Sequence, residues 1–339
     1  MDDPTPPPPG AIAILTLLIT TVLIGLSLVN ASQNNGPPVR SQNLFIERAL
    51  YDDPNDEATV AATRHAEGSR ESQALKKIGT QPWAIWFGDW DTDISDSIRT
   101  WREKAEATQA LPIFVLYNIP DRDCNSADAG GGADGTAQYQ RWIDGVAAGL
   151  STSPSVFILE PDAVAGWDCP GSDLSQIRIT QLQYAIDHLS GANHAVYLDA
   201  GNPGWRTTQG MIDRLKRFDL EGLRGFAVNV SNFYDTPTAT SYAEALYSAT
   251  GLPSVIDTSR NGNGAVPGGN DWCNPAGRAL GEPPQAVTDN PAVDAYLWIK
   301  IPGESDGKSG DTDTNCHGGP TSGDFWEQYA IELALNAHW

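Results

Sequence analysis

Seven short apolar runs recur along the chain, separated by longer stretches whose apolar positions fall mostly three or four apart. The runs are "WAIWF" (83–87), "PIFVLY" (112–117), "SVFILE" (155–160), "AVYLD" (195–199), "GFAVNV" (225–230), "SVID" (254–257) and "AYLWIK" (295–300). Unbroken apolar runs of this length fit strands buried on both faces; half-exposed strands would alternate. Between them, Leu174, Ile177, Leu182, Ala185, Ile186 and Leu189 form a helical stripe, and Phe325, Tyr329 and Leu333 form another near the end. Strands joined by crossover helices predict an α/β fold with a parallel sheet, most economically a (β/α) barrel of about seven strands. Neither an internal repeat nor a second domain is visible.

In such a barrel the positions just past each strand gather at one rim, where active sites sit. Here they carry polar chemistry. Tyr117 is followed by Asp121 and Asp123, and the third run delivers Glu160 and then Asp162. The later ends bring Asp199, Asn202 and Trp205, then Asn229 and Asn232, Asp257 and Arg260, and finally Lys300, Glu304 and Asp306. One acid in a loop is usually just solvated. Recurrence at one end of the fold points to a carboxylate-lined cleft.

Many carboxylates, five His and eleven Trp suit glycoside hydrolysis, which needs one protonated acid and one base or nucleophile. Asp162 follows an apolar run directly, with Asp123 and Asp199 as rim neighbours. Burial and like charges both raise a carboxyl pKa, as a proton donor requires. Trp83, Trp205 and Trp272 lie near strand ends, where indoles can pack on sugar faces. Trp86, Trp142, Trp298 and Trp326 fall inside apolar runs or helices and read as core. No Gly-x-Ser-x-Gly elbow is present, and no phosphate-cradling glycine pattern follows a strand.

The formal charge of −22 disfavours nucleic acid and suits a soluble protein meeting a neutral substrate. "AIAILTLLITTVLIGLSLV" (11–29) holds nineteen residues without a charge, long for a signal-peptide core and just enough to span a bilayer. Residues 1–31 are therefore expected to be a signal peptide or membrane anchor and 32–40 a polar linker. The protein is then secreted or held on the outer face of the membrane. In an exported chain the four cysteines imply two disulfides, with three pairings open. No pair has Cys-x-x-Cys spacing, which disfavours zinc; no metal or cofactor is expected.

The chain resembles glycoside hydrolase family 6, the cellulases also called family B. The resemblance rests on "VLYNIPDRDC" (115–124), "ILEPDAV" (158–164), "VYLDAGNPGW" (196–205), "VIDTSRNGNG" (255–264), "DWCNPAGRALG" (271–281) and "LWIKIPGESDG" (297–307), in family order. It covers residues 41–339 as one catalytic domain and implies a distorted parallel α/β barrel that hydrolyses β-1,4-glucan with inversion. By motif position, Asp162 is implied as general acid. Asp123 is implied as modulator of that acid or as base through a water, and Asp306 as the other base candidate or a sugar-orienting group held by Lys300. Asp199 is implied to tune the acid or bind substrate, and Tyr117 to crowd the sugar at the cleavage point. Trp83, Trp205, Asn202, Asn229, Trp272, Lys300 and Glu304 are implied as substrate contacts, and Cys124–Cys169 and Cys273–Cys316 as the disulfides. Asn202 stands where the family commonly has His. The segment "KSGDTDTN" (308–315) delays Cys316 relative to open-cleft members, while the loop after Asp123 is short and Gly-rich. The balance favours a monomeric endo-β-1,4-glucanase. The alternatives are a cellobiohydrolase of the same family or a non-catalytic glycan-binding protein.

Overall fold

Parity along the strands builds the architecture. The computed structural model describes Met1 and residues 42–125, 131–169, 172–191, 193–268, 271–308 and 316–339. Chain contacts separate Met1–Pro37 from Pro38–Trp339; the expected apolar segment 11–29 and linker 32–40 lie outside the described residues. Among the described residues no helix is long and apolar enough to cross a membrane.

The strands are β1 (Ile85–Gly88), β2 (Ile113–Tyr117), β3 (Ser155–Leu159), β4 (Asp168–Cys169), β5 (Ser172–Asp173), β6 (His194–Asp199), β7 (Gly225–Val228), β8 (Ser254–Asp257), β9 (Gln285–Ala286) and β10 (Val293–Leu297). The main sheet runs β1-β2-β3-β6-β7-β8-β10-β9, while β4 and β5 form a separate hairpin. All seven predicted strands are present and pair in parallel; the short edge strand β9 is antiparallel to β10. The sheet curls until its ends meet without a ladder: Ala84 N–H donates to the Trp298 carbonyl at 3.0 Å and Trp86 Nε1 to that of Ile299 at 2.8 Å.

Successive side chains alternate between the two faces. Ile85, Phe87, Phe114, Leu116, Phe157, Leu159, Val196 and Leu198 face outward into the core beneath the helices. Ile113, Val115, Val156, Ile158, Ala195 and Tyr197 fill the lumen, which Leu44 and Phe45 close at its base. By the same parity Trp86, Tyr117 and Asp199 point inward. Each buried Leu-sized side chain contributes roughly 1.5–3 kcal/mol, so this alternation is strongly enforced.

The crossovers are helices Ile94–Ala107, Thr136–Gly149, Ser175–Leu189, Thr208–Leu215 and Thr236–Thr250. Asp93, Thr207 and Asp235 cap three of them by accepting from backbone N–H groups three residues on. Among the described residues no helix joins β8 to β10; β9 and loops occupy that span, which distorts the barrel. Leu182, Ala185, Ile186 and Leu189 are buried as expected, but Ile177 is exposed, because the buried face of this helix runs through Ser175, Arg178, Leu182, Ala185 and Leu189 and leaves Ile177 on the solvent side. Two predicted strands end early where Glu160 and Asn229 take left-handed backbone (φ 48° and 67°), a conformation no strand can continue.

Candidate active site

A cleft of about 720 Å³ opens over the C-terminal ends of the strands. Trp86, Tyr117, Asp123, Asp162, Asn202, Trp205, Trp272, Lys300 and Asp306 line it, joined by Arg178, Ser231, Asn232 and Tyr234. The structure thus gathers residues as far apart in sequence as Trp86 and Ser322 on one surface.

Two loops carry the acids, and both are wound tightly. Of ten non-glycine residues with positive φ among the described residues, five flank them: Asp121, Asp123, Cys124, Glu160 and Asp162. Each costs about 1–2 kcal/mol, so the surroundings must hold them. The Glu160 carboxylate, fully buried, accepts from the N–H groups of Asn118 (2.9 and 3.1 Å) and Ile119 (3.0 Å). It thereby pins the loop after β2 to the end of β3. The Cys124–Cys169 disulfide ties the same loop to the β4–β5 hairpin. The Asp199 Oδ1 accepts from Asp162 N at 2.9 Å and Gly201 N at 3.0 Å, fixing the Asp162 backbone from below. Gly201 adopts φ 63° to make that turn, which glycine does without steric cost.

The electrostatics follow from burial. Desolvation, then the charges of Asp123 and Asp199, push the Asp162 carboxyl well above the usual carboxylate range. Burial pushes Asp199 up to about 7; its Oδ2 is buried without a protein partner. Burial also raises Asp123, against the hydrogen bond from the Tyr117 hydroxyl and the charges of Arg122 and Arg178. Asp306 is different in kind. Its Oδ2 accepts from Arg260 Nη1 at 2.8 Å and Asn274 N at 3.0 Å, and Arg260 is fully buried. The Cys273–Cys316 disulfide secures the adjoining loops. Among the described residues no group of His, Cys, Asp and Glu could hold a metal ion.

The sequence profile of the glycosyl hydrolases family 6 matches residues 45–337. The chain belongs to this family. Endoglucanase A of Cellulomonas fimi is 40% identical over 295 residues, 86% of this chain and 62% of the relative. Probable exoglucanase GH6D of Podospora anserina is 32% identical over 371 residues, 94% of this chain and 83% of the relative. The solved endoglucanase Cel6 from Mycobacterium tuberculosis, in complex with methyl-cellobiosyl-4-deoxy-4-thio-β-D-cellobioside, is 41% identical with a TM-score of 0.79, covering 87% of this chain and 99% of that one. The chain spans 62% and 66% of the length of two curated relatives, the Endoglucanase A proteins of C. fimi and Thermobispora bispora.

Within this family 6 fold, three expected contacts, Trp83, Glu304 and Asn229, do not reach the cleft. Trp83 lines a separate cavity of about 210 Å³ together with Glu304, Asp56 and Phe325. Asn229 is fully buried, its amide donating to the carbonyls of Tyr234 and Asp257; Asn232 lines the cleft instead. Lys300 pairs with Glu304 at 3.1 Å, and it is Arg260 that holds Asp306. Trp86, read as core, is a cleft residue whose ring meets that of Tyr117 edge-on at 5.5 Å. The reason is parity: Trp86 faces the lumen, and Trp83 precedes the strand altogether. Trp142 and Trp298 are core as expected, while Trp326 is only part-buried and stacks on Tyr329. The roles of Glu160, Arg178 and Arg260 went unassigned in the sequence reading. The one available signal was a charged residue beside a motif or on an apolar helix face.

Proposed function

We propose that the protein hydrolyses internal β-1,4-glucosidic bonds in cellulose or a related β-glucan with inversion, residues 41–339 forming the catalytic domain. The observation that carries this reading is Asp162. Its half-buried carboxyl lies beside Asp123 and Asp199, and desolvation with their charges raises its pKa well above the usual carboxylate range, the direction an acid that protonates a leaving oxygen requires. Asp123 accepts a hydrogen bond from the Tyr117 hydroxyl and takes up the attacking water's proton through a second water. The Asp306 Oδ2 is already engaged by Arg260 and Asn274, so Asp306 orients a sugar. Asp199 supports Asp162 from below. Tyr117 crowds the sugar ring at the cleavage point. Trp86, Trp205 and Trp272 supply stacking faces, while Asn202 and Lys300 meet hydroxyls.

Endo action is supported by exposure. Trp205 and Trp272 are 40% and 42% exposed, as platforms in an open cleft are. Segments 126–130 and 309–315 lie outside the described residues. Relatives named endoglucanase at 40% and 41% identity support the same reading. Two disulfides suit an extracellular setting, reached by secretion or with residues 11–29 as a tether. The test follows viscosity and reducing ends together on carboxymethyl cellulose. A fast viscosity drop with few new ends supports internal cutting. New ends with little viscosity change would make the enzyme a cellobiohydrolase. Neither change, on polymer or on soluble cello-oligosaccharides, would favour a glycan-binding protein.

A further inference from the structure

Arg178 enters the cleft from the first turn of helix Ser175–Leu189, yet its side chain is 98% hidden, with 2% relative exposure. An Arg buried to this degree needs partners for its charge and donors. Its fork grips one carbonyl in each acid-bearing loop: Nη1 donates to Ala163 O at 2.8 Å and Nη2 to Asp121 O at 2.7 Å. Ala163 follows Asp162 directly, and Asp121 lies two residues before Asp123. Both loops hold left-handed backbone at these very residues, Asp121, Asp123 and Asp162. Two carbonyls on separate loops at near-equal distance from one planar group fix the loops relative to each other. Lysine, a single ammonium on a flexible stem, lacks that geometry.

We propose that Arg178 is a positioning residue: it locks the loops after β2 and β3 in register and supplies the positive charge against which Asp123 and Asp162 ionise. The proposal rests on the reading of Asp162 and Asp123 as the working acids. The charges around Arg178 come from several elements. Asp121, Arg122 and Asp123 follow β2, Glu160 and Asp162 follow β3, and Asp199 ends β6. The Arg178 charge lowers both Asp123 and Asp162. Removing it raises both, so the acid limb of the pH–activity profile (Asp123 ionising) and the alkaline limb (Asp162 losing its proton) both move to higher pH. The limbs belong to the coupled set rather than to single residues.

The experiment compares full-length wild-type, R178K and R178M proteins on cellotetraose, with kcat and KM across pH and thermal melting as a check of folding. For R178M, both limbs shift upward by roughly one pH unit and kcat falls more than KM changes. For R178K, the limbs stay where they are and kcat falls about tenfold, because charge survives and the two-carbonyl grip does not. A folded R178M with unmoved limbs overturns the electrostatic role. R178K with wild-type kcat overturns the positioning role, and decides alone if R178M does not fold. D162N is assayed beside them. Residual turnover there would remove the underlying reading of the site, whereas an inactive D162N with an unaffected R178M removes only the role of Arg178.

Discussion

Glu160→Gln tests how the fold holds a charge without solvent. Glu160 is fully buried, and burial pushes its carboxyl from 4.5 to about 7 against the N–H groups of Ile119 and Asn118. The folded state therefore grips the proton more tightly than the unfolded chain does. Stability contributed by the neutral form is fully present below about pH 4.5, falls as pH rises toward 7, and is level above. At about 1.4 kcal/mol per pH unit of displacement, the loss amounts to about 3 kcal/mol. Glutamine does not titrate, so the variant escapes this loss. It has one acceptor oxygen where glutamate has two, and its amide confronts backbone donors. That costs about 1–2 kcal/mol at every pH. The curves must cross: E160Q is less stable than wild type by about 1–2 kcal/mol near pH 4.5 and more stable by a similar amount near pH 8. Urea titrations followed by tryptophan fluorescence at about pH 4.5, 6 and 8 measure this, and the other buried acids, present in both proteins, largely cancel. A stability difference that is the same at all three pH values would refute the assignment of a raised Glu160 pKa.

Tyr117→Phe removes the hydroxyl that donates to Asp123 and lowers its pKa; the acid limb of the pH–rate profile should rise by roughly half a pH unit, with the alkaline limb moving less. Cys124→Ser with Cys169→Ser opens a loop of 45 residues; chain entropy sets the loss at up to about 4 kcal/mol, read from urea midpoints. The same pair should lower kcat, because Cys124 adjoins Asp123. Trp205→Ala removes a half-exposed indole of the cleft and should weaken cellohexaose binding roughly three- to tenfold by calorimetry, with a smaller effect on kcat for short substrates.

The strand pattern was legible because each run is apolar on both faces, and a parallel sheet covered by helices demands that composition. The acids were legible because they sit where strands end. The same continuous apolar pattern conceals which face of each strand looks inward. With Ile85, Trp86 and Phe87 all apolar, nothing local separates the lumen-facing indole from its outward neighbours. Hence Trp86 read as core and Trp83 as a platform.

Sequence alone determined the order of the elements, the rim positions of the acids and the family to which the chain is similar, since these depend on local composition and motif. Only the tertiary structure decided the partners. Arg178 reaches Asp121 across 57 residues and Arg260 reaches Asp306 across 46, while Glu160 accepts from N–H groups 41 and 42 residues away. Such pairings depend on strand order, parity and left-handed turns, which bring distant loops within hydrogen-bond reach. Where that packing withdraws a carboxyl from water, as it does for Glu160 and Asp199, the group holds its proton to higher pH than it would in the open chain.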